Sequence, residues 1–245
     1  MLQRKPRHYR SHFVEGEADL LKAQRLRYAC FNDGAAGIDA DALDTACQHI
    51  LITDAKTGDA VCTFRFLELS DGSEIDHCYS AAYYNLDALR TFDHPLLELG
   101  RFCIDPQVAD PSVVRLAWSE ITRLVDQRGI EMMFGCSSFA GTNADSYQDT
   151  FALLKERHLG PKRWLPRVKA PNVFQFARIL KFKKPNLKYA QKRLPPLLRT
   201  YLTMGGWVSD HAVVDEHMNT LHVFTGLEIA SIPANRKRLL RADAA

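Results

Sequence analysis

The sequence predicts an α/β fold in which helices flank one mixed β-sheet. Three observations carry this. Up to residue 160, apolar patterns of helical period alternate with short β-branched and aromatic runs, in the order helix, hairpin, strand, helix, strand, helix. The 245 residues are 46% hydrophobic, enough to fill a sizeable core. The strands expected after residue 200 are too few to enclose a core of their own, which joins them to the same sheet and makes residues 1–245 a single domain.

Each element follows from its local pattern. Residues 17–31, EADLLKAQRLRYACF, repeat apolar side chains at helical spacing (Leu20, Leu21, Ala23, Leu26, Tyr28, Phe31), and the Asn-Asp-Gly that follows stops the helix. HILITDAKTGDAVCTFRFLEL reads as two strands joined through a Lys-Thr-Gly-Asp turn. Polar residues 70–78 and a short helical segment at 80–91 lead to an apolar run at 96–104, expected to be a buried strand. In DPSVVRLAWSEITRLVDQRG, the residues Val113, Val114, Ala117, Trp118, Ile121, Leu124 and Val125 share one helix face, and Gly129 marks its stop. IEMMFGCSSF supplies another buried strand and ADSYQDTFALLKER another helix. Beyond Gly160 the texture turns Pro- and Lys-rich; LLRTYLTMGGWVSDHAVV then gives a short helix and a strand, and HVFTGLEI the last strand.

A net charge of +3 hides an asymmetry. Residues 155–199 hold fourteen Lys and Arg against one acid, Glu156, a local +13 that leaves −10 for the rest of the chain. Such a segment meets nucleic acid, anionic lipid or an acidic carrier protein, or is simply a solvated face. Nucleic acid is disfavoured, because no recognition helix or RNA-binding motif accompanies the charge and prolines interrupt it. No run approaches the roughly 20 apolar residues of a spanning helix, and MLQRKPRHYRSHF has no apolar core of the signal-peptide kind, so a cytoplasmic protein is expected. The six cysteines form no CxxC pair and the nine histidines show no ligand spacing; reduced thiols and no metal are expected.

The run at 96–104 contains ELGRF, so a buried strand carries Glu98 and Arg101. Either charge buried alone costs several kcal/mol and needs a partner or a task. At odd separation they face opposite sides of a regular strand, but Gly100 is a place for a β-bulge that would turn both towards one site. A structural ion pair at a sheet edge and a functional site are both open on these residues. Other charges accompany them: Arg27 and Phe31 lie four apart on the first helix, DADALD supplies Asp41 and Asp44, and Arg65 interrupts the apolar VCTFRFLEL.

In combination, Arg27-x-x-x-Phe31, Asp41-x-x-Asp44, Arg65 in the next strand and Glu98-x-x-Arg101-Phe102 in the fourth strand resemble the signature of the acyl-homoserine-lactone autoinducer synthases and of the related ornithine-lipid acyltransferases. The rest of the chain resembles the second group more closely. FGCSSFAGTNADSY, which contains Ser138, is similar to its Cys-x-Ser-Phe-x-Gly-Thr segment, and LPPLLRTYLTMGGWVSDHAVVDEHMNTLHVF is similar to its closing region. The similarity spans roughly residues 20–225.

The resemblance implies a Gcn5-related N-acyltransferase fold whose fourth and fifth strands splay at a bulge, with the donor's thioester arm between them. It implies transfer of a (3-hydroxy)fatty acyl group from acyl carrier protein to the α-amine of ornithine, giving lyso-ornithine lipid. No cofactor is implied beyond the 4'-phosphopantetheine that the carrier protein itself bears. Glutamine is the alternative acceptor, since the group tends to carry an acid where His222 stands. An autoinducer synthase using S-adenosylmethionine is the alternative activity. DPQVADPSVV has no glycine with which to wrap a diphosphate, which argues for carrier protein over free CoA. Glu98 is the expected proton acceptor for the attacking amine. Arg27, Phe31, Asp41, Asp44, Arg65, Arg101, Phe102 and Ser138 are the expected substrate-binding residues, the charged ones forming a network that grips the amino acid or locks the first helix. The basic segment is expected to touch acyl carrier protein (Arg157, Lys162, Arg163) and an anionic membrane at its inner face (KFKKPNLKYAQKR).

Overall fold

The apolar periods of the sequence become regular elements in the computed structural model, which describes residues 8–244; the first seven residues of the stretch read above for a leader lie outside it. In chain order the elements are β1 (Tyr9–Phe13), α1 (Glu17–Phe31), β2 (Gln48–Asp54), β3 (Ala60–Leu69), α2 (Ser80–Tyr83), β4 (Tyr84–Asn85), β5 (Leu96–Ile104), α3 (Pro111–Arg128), β6 (Met132–Ala140), α4 (Gln148–Arg157), β7 (Arg167–Val168), β8 (Val173–Phe174), α5 (Phe176–Ile179), α6 (Leu187–Arg193), α7 (Pro196–Thr203), β9 (Trp207–Val208), β10 (Ala212–Asp215), β11 (Thr220–Glu228) and α8 (Ala234–Ala244). By internal contacts the chain divides into two compact units. One comprises Met1–Leu67, Leu99–Arg128 and Lys237–Ala245, as far as these are described; the other comprises Glu68–Glu98 and Gly129–Arg236.

In the first unit the strand order is β1, β2, β3 and the later part of β5. β1 runs antiparallel to β2, from Tyr9 opposite Asp54 to Phe13 opposite Ile50. Ile50, Leu51 and Ile52 are consecutive and all buried, the mark of a strand covered on both faces. α3 buries Val113, Ala117, Trp118, Ile121, Leu124 and Val125 as its period requires, while Val114, expected on the same face, is 39% exposed. Seven positions span more arc than the buried stripe of one helix face, and Val114 falls beyond its edge.

In the second unit β5 begins parallel to β6, with Leu96, Leu97 and Glu98 opposite Met132, Met133 and Phe134. β6 pairs antiparallel with β11 along its length, from Ala140 opposite Thr220 to Met132 opposite Glu228. β10 and then β8 continue this order, and β9 pairs with β11, so the strands after residue 200 do extend the sheet built on β6. An aromatic-rich core lies against it: Phe139, Phe151, Phe176, Leu198 and Leu221 are all 1% exposed or less. The helix expected at 80–91 is broken instead into α2, β4 and a 3₁₀ turn over Asp87–Thr91, with β4 paired to β7. The chain extends at Tyr84 because that phenol is buried and donates to the His222 carbonyl oxygen at 2.8 Å. Among the described residues, no helix is long and apolar enough to cross a membrane.

Candidate functional site

In the first unit, α1, the 39–44 loop, β3 and β5 each send charge to one place. Arg27 donates to both oxygens of Asp44, at 2.9 and 2.8 Å, and to the Asp39 carbonyl oxygen. Arg65 spans two carboxylates, reaching Asp44 at 2.7 Å and Asp41 at 2.6 and 2.8 Å. Arg101 donates to Asp39 at 3.0 Å and to Asp41 at 3.1 Å. Gln24, one turn before Arg27 on α1, adds a bond to Asp44 at 2.9 Å, and the His49 ring lies 3.0 Å from the Asp44 carbonyl oxygen. Three guanidinium groups thus face three carboxylates. Arg27 and Arg65 are 1% and 3% exposed, so they are tolerable only because they are paired.

Burial alone would raise the Asp44 carboxyl, but hydrogen bonds from Arg27, Gln24 and Arg65 outweigh it and hold the group well below the usual carboxylate range. Asp41 is lowered for the same reason, with Arg65 and Arg101 opposing desolvation. Desolvation lowers His49, which keeps the ring neutral beside the arginines. Phe31 is half-buried at the end of α1, and Phe102 stacks on Phe64 with ring centroids 5.7 Å apart.

The second unit positions Glu98. Its carboxylate is 5% exposed and accepts from the Tyr79 N–H at 2.8 Å, the Ser80 N–H at 2.7 Å and the Ser80 hydroxyl at 2.6 Å. These are the first amides of α2, which the carboxylate caps from a neighbouring strand. Ser80 Oγ is also 3.5 Å from Cys136 Sγ. Strand register places Glu98 with Phe134, Cys136 with Phe224 and Ser138 with His222, so these six residues line one face of the sheet. Ser138 is exposed on that face. His222 beside it is 2% exposed, meets the Tyr84 hydroxyl at 3.2 Å through Nδ1, and leaves Nε2 without a hydrogen-bond partner. Burial lowers its pKa to about 4, so the imidazole is neutral at pH 7.

Within its own unit Glu98 accepts from the Tyr79 and Ser80 amides, and within the other Arg101 donates to Asp39 and Asp41. The unusual backbone conformation of this stretch is at Arg101, with φ +52°, one residue past the glycine expected to mark a bulge. The two carboxylate partners of Arg101 hold a left-handed conformation that a residue bearing a Cβ adopts at a cost of about 1–2 kcal/mol.

Arg27, Asp41, Asp44, Arg65 and Arg101 come together in the network of the first unit, and in the second unit Glu98 and Ser138 lie on one face of the sheet built on β6. Sequence reasoning missed Asp39, though it begins the alternating run Asp39-Ala40-Asp41, and Gln24, three residues before Arg27 on α1. Ser80 and Tyr84 gave no local signal, because their roles arise from contacts with β5 and β11. Cys103 is an unsuitable nucleophile: its contact with Cys30 and its burial push the thiol well above the ordinary range.

Comparison with known proteins agrees with this architecture. The Acetyltransferase (GNAT) domain family matches residues 26–119. The fold resembles the solved structure of FeeM, an N-acyl amino acid synthase from uncultured soil microbes, with a TM-score of 0.53 at 10% identity over 92% of this chain and 94% of that one. The L-ornithine N(alpha)-acyltransferase of Rhodobacter capsulatus is 32% identical over 235 residues, 89% of each chain. Its counterpart in Brucella abortus is 31% identical over 202 residues, 79% of this chain and 71% of that one. The chain is an N-acyltransferase of the GNAT fold and belongs to the L-ornithine N(alpha)-acyltransferase family.

Proposed function

We propose that this N-acyltransferase moves a fatty acyl group, usually 3-hydroxylated, from acyl carrier protein to the α-amine of ornithine and releases lyso-ornithine lipid. The observation that carries the acceptor is the 32% identity, over 89% of both chains, with a relative named L-ornithine N(alpha)-acyltransferase. In this reaction the amine attacks the thioester carbonyl, a C–N bond forms, the C–S bond breaks, and the phosphopantetheine thiol leaves. The ammonium must first lose a proton, and Glu98 is the proposed acceptor. Three donors fix its carboxylate in orientation, which supports a group poised for one substrate geometry. Ser138 and the β6 edge beyond Phe134 are the proposed neighbours of the thioester.

No resident cofactor is needed on this reading. Carrier protein is favoured over free CoA as donor because the turn before α3 uses its amides internally. The Gln107 N–H donates to the Asp105 carboxylate at 2.8 Å, and the Ser112 N–H to Asp110 at 2.8 Å. A carboxylate capping the first turn of α3 repels a diphosphate where acetyl-CoA users would seat one. The ionic network reads as a lock on α1, since its arginines and aspartates satisfy one another. The protein would work in the cytoplasm, with residues 155–199 turned to anionic partners.

One observation favours glutamine as a second acceptor. The imidazole of His222 carries no negative charge in either protonation state, so it offers no counter-charge to a side-chain ammonium and suits an uncharged amide as well. Purified protein with one acyl chain presented on carrier protein or on CoA, and with ornithine or glutamine, tests both assignments. Higher catalytic efficiency with the carrier-bound donor and ornithine is expected. Equal efficiency with both donors overturns the donor assignment, and faster transfer to glutamine overturns the acceptor.

A further inference from the structure

Residues 176–193 contain seven Lys and Arg and no acid, and they leave large apolar side chains in water. Phe182 is 88% exposed, Tyr189 62%, Ile179 57% and Leu187 40%. A single exposed apolar residue is ordinary, but four within eleven positions of one cationic segment are not.

The turn that carries Phe182 is held in place from beneath. Lys155 on α4 donates to the carbonyl oxygens of Leu180, Lys181 and Lys183, at 2.7, 3.1 and 2.9 Å. Asp149, also on α4, accepts from the Asn186 N–H at 3.0 Å and lies 3.6 Å from the Lys183 ammonium. Leu180 and Ala190 are buried on either side of the turn, so α5 and α6 are anchored while the residues between them project. The Lys181 ammonium sits 5.3 Å from the centre of the Phe182 ring, so cation and ring are presented together. A turn whose backbone is already braced loses little further backbone entropy when its outward side chains bind a partner.

We propose that this braced α5–α6 segment is a docking surface for an anionic bilayer, with Phe182 entering the interface and Lys181, Lys184 and Lys188 meeting lipid phosphates. The occupant follows from the chemistry of the surface. A run of seven cations without an acid calls for a dense anionic plane, and an 88% exposed phenylalanine calls for an apolar layer behind it. A membrane supplies both, at the depth one aromatic ring can reach. The inference rests on the proposed reaction in one respect: a lyso-lipid product gains from release at a membrane.

Sedimentation of the full chain with vesicles tests it. Wild type should pellet with vesicles of phosphatidylglycerol and phosphatidylcholine, and not with phosphatidylcholine alone. Phe182→Ala should weaken the binding about tenfold, the scale of burying one aromatic side chain. The double variant Lys181→Glu and Lys184→Glu should weaken it by a larger factor, since each charge near the surface is worth about fivefold. Phe182→Ala should keep the wild-type thermal midpoint and its turnover on carrier-bound donor in vesicle-free solution, which separates this proposal from the catalytic reading. Vesicle binding unchanged in either variant overturns the proposal. So does a raised KM for carrier protein in the Lys double variant without change in vesicle binding, which assigns the surface to the donor.

Discussion

Replacing Asp44 by Asn removes one charge and keeps the shape of the side chain, at a point where four hydrogen bonds converge. In the native protein one oxygen accepts from Arg27 and Arg65, at 2.9 and 2.7 Å, and the other from Arg27 and Gln24, at 2.8 and 2.9 Å. An amide keeps one acceptor and turns an NH₂ group towards two donors. The network is left with three guanidinium groups against two carboxylates, and Arg27 and Arg65 are too deeply buried for water to compensate. Breaking a buried ion pair by removing one partner costs about 3–5 kcal/mol. That is a large part of the 5–15 kcal/mol that ordinarily holds a domain folded.

In urea, with a slope near 3 kcal/mol/M, the unfolding midpoint should fall by about 1–2 M. An internal control lies on α1, the helix that carries Arg27: Lys22 pairs with Asp19 at 2.9 Å with its side chain 51% exposed, and Lys22→Ala should shift stability by less than about 0.5 kcal/mol. The pH dependence has a defined sign. Asp44 is depressed in the folded state, so its contribution is present above the unfolded carboxyl value near 4 and is lost as pH falls below it. The gap between wild type and Asp44→Asn should therefore hold from pH 7 to 5 and narrow in stronger acid. If the two midpoints agree within about 0.3 M at pH 7, the network does not lock α1, and its arginines are free to exchange these partners for the charges of a substrate.

Three further outcomes are expected. Glu98→Gln should lower turnover by about 10²–10⁴-fold and also destabilise by about 1–3 kcal/mol, because its amide would face the two N–H groups and the hydroxyl now bound by the carboxylate. A soluble, folded variant with normal turnover removes Glu98 from the chemistry. His222, with a folded pKa of about 4 against about 6.5 for a free imidazole, binds fewer protons folded than unfolded between those values, so stability falls as pH drops through that window, by about 3 kcal/mol in all. His222→Phe should flatten the slope in urea titrations at pH 7, 5.5 and 4.5; parallel slopes count against the buried neutral ring. Gly226→Ala places a Cβ 2.3 Å from the Trp207 ring, and Trp207 is only 6% exposed, so a loss of about 1–3 kcal/mol is expected in the same assay, and an unchanged midpoint shows that the ring has room to move.

What the sequence disclosed was whatever rests on local periodicity. α3 announces itself by its apolar stripe, with only Val114 misplaced, and the β2–β3 hairpin by its polar turn. β1 was missed because YRSHF has no alternation to read; among the described residues it is an edge strand paired with β2 alone, half in solvent. α8 was missed because ANRKRLLRADA buries none of its side chains. The residues of the ionic network were legible as charges out of place, Arg65 above all, since an arginine inside VCTFRFLEL demands a partner. Their pairing was not legible, because it depends on how the 39–44 loop returns towards α1. A positive φ at Arg101 is likewise invisible: glycine is the residue that advertises that conformation, and Gly100 drew attention one position early.

Mass spectrometry of the product formed by purified protein from 3-hydroxyacyl carrier protein with equal ornithine and glutamine tests the proposed activity most directly. The predicted product is ornithine acylated on its α-nitrogen, with free carrier-protein thiol in equal amount. Acyl-glutamine as the main product, acylation of the side-chain amine, or a lactone formed when S-adenosylmethionine is supplied instead would each contradict it.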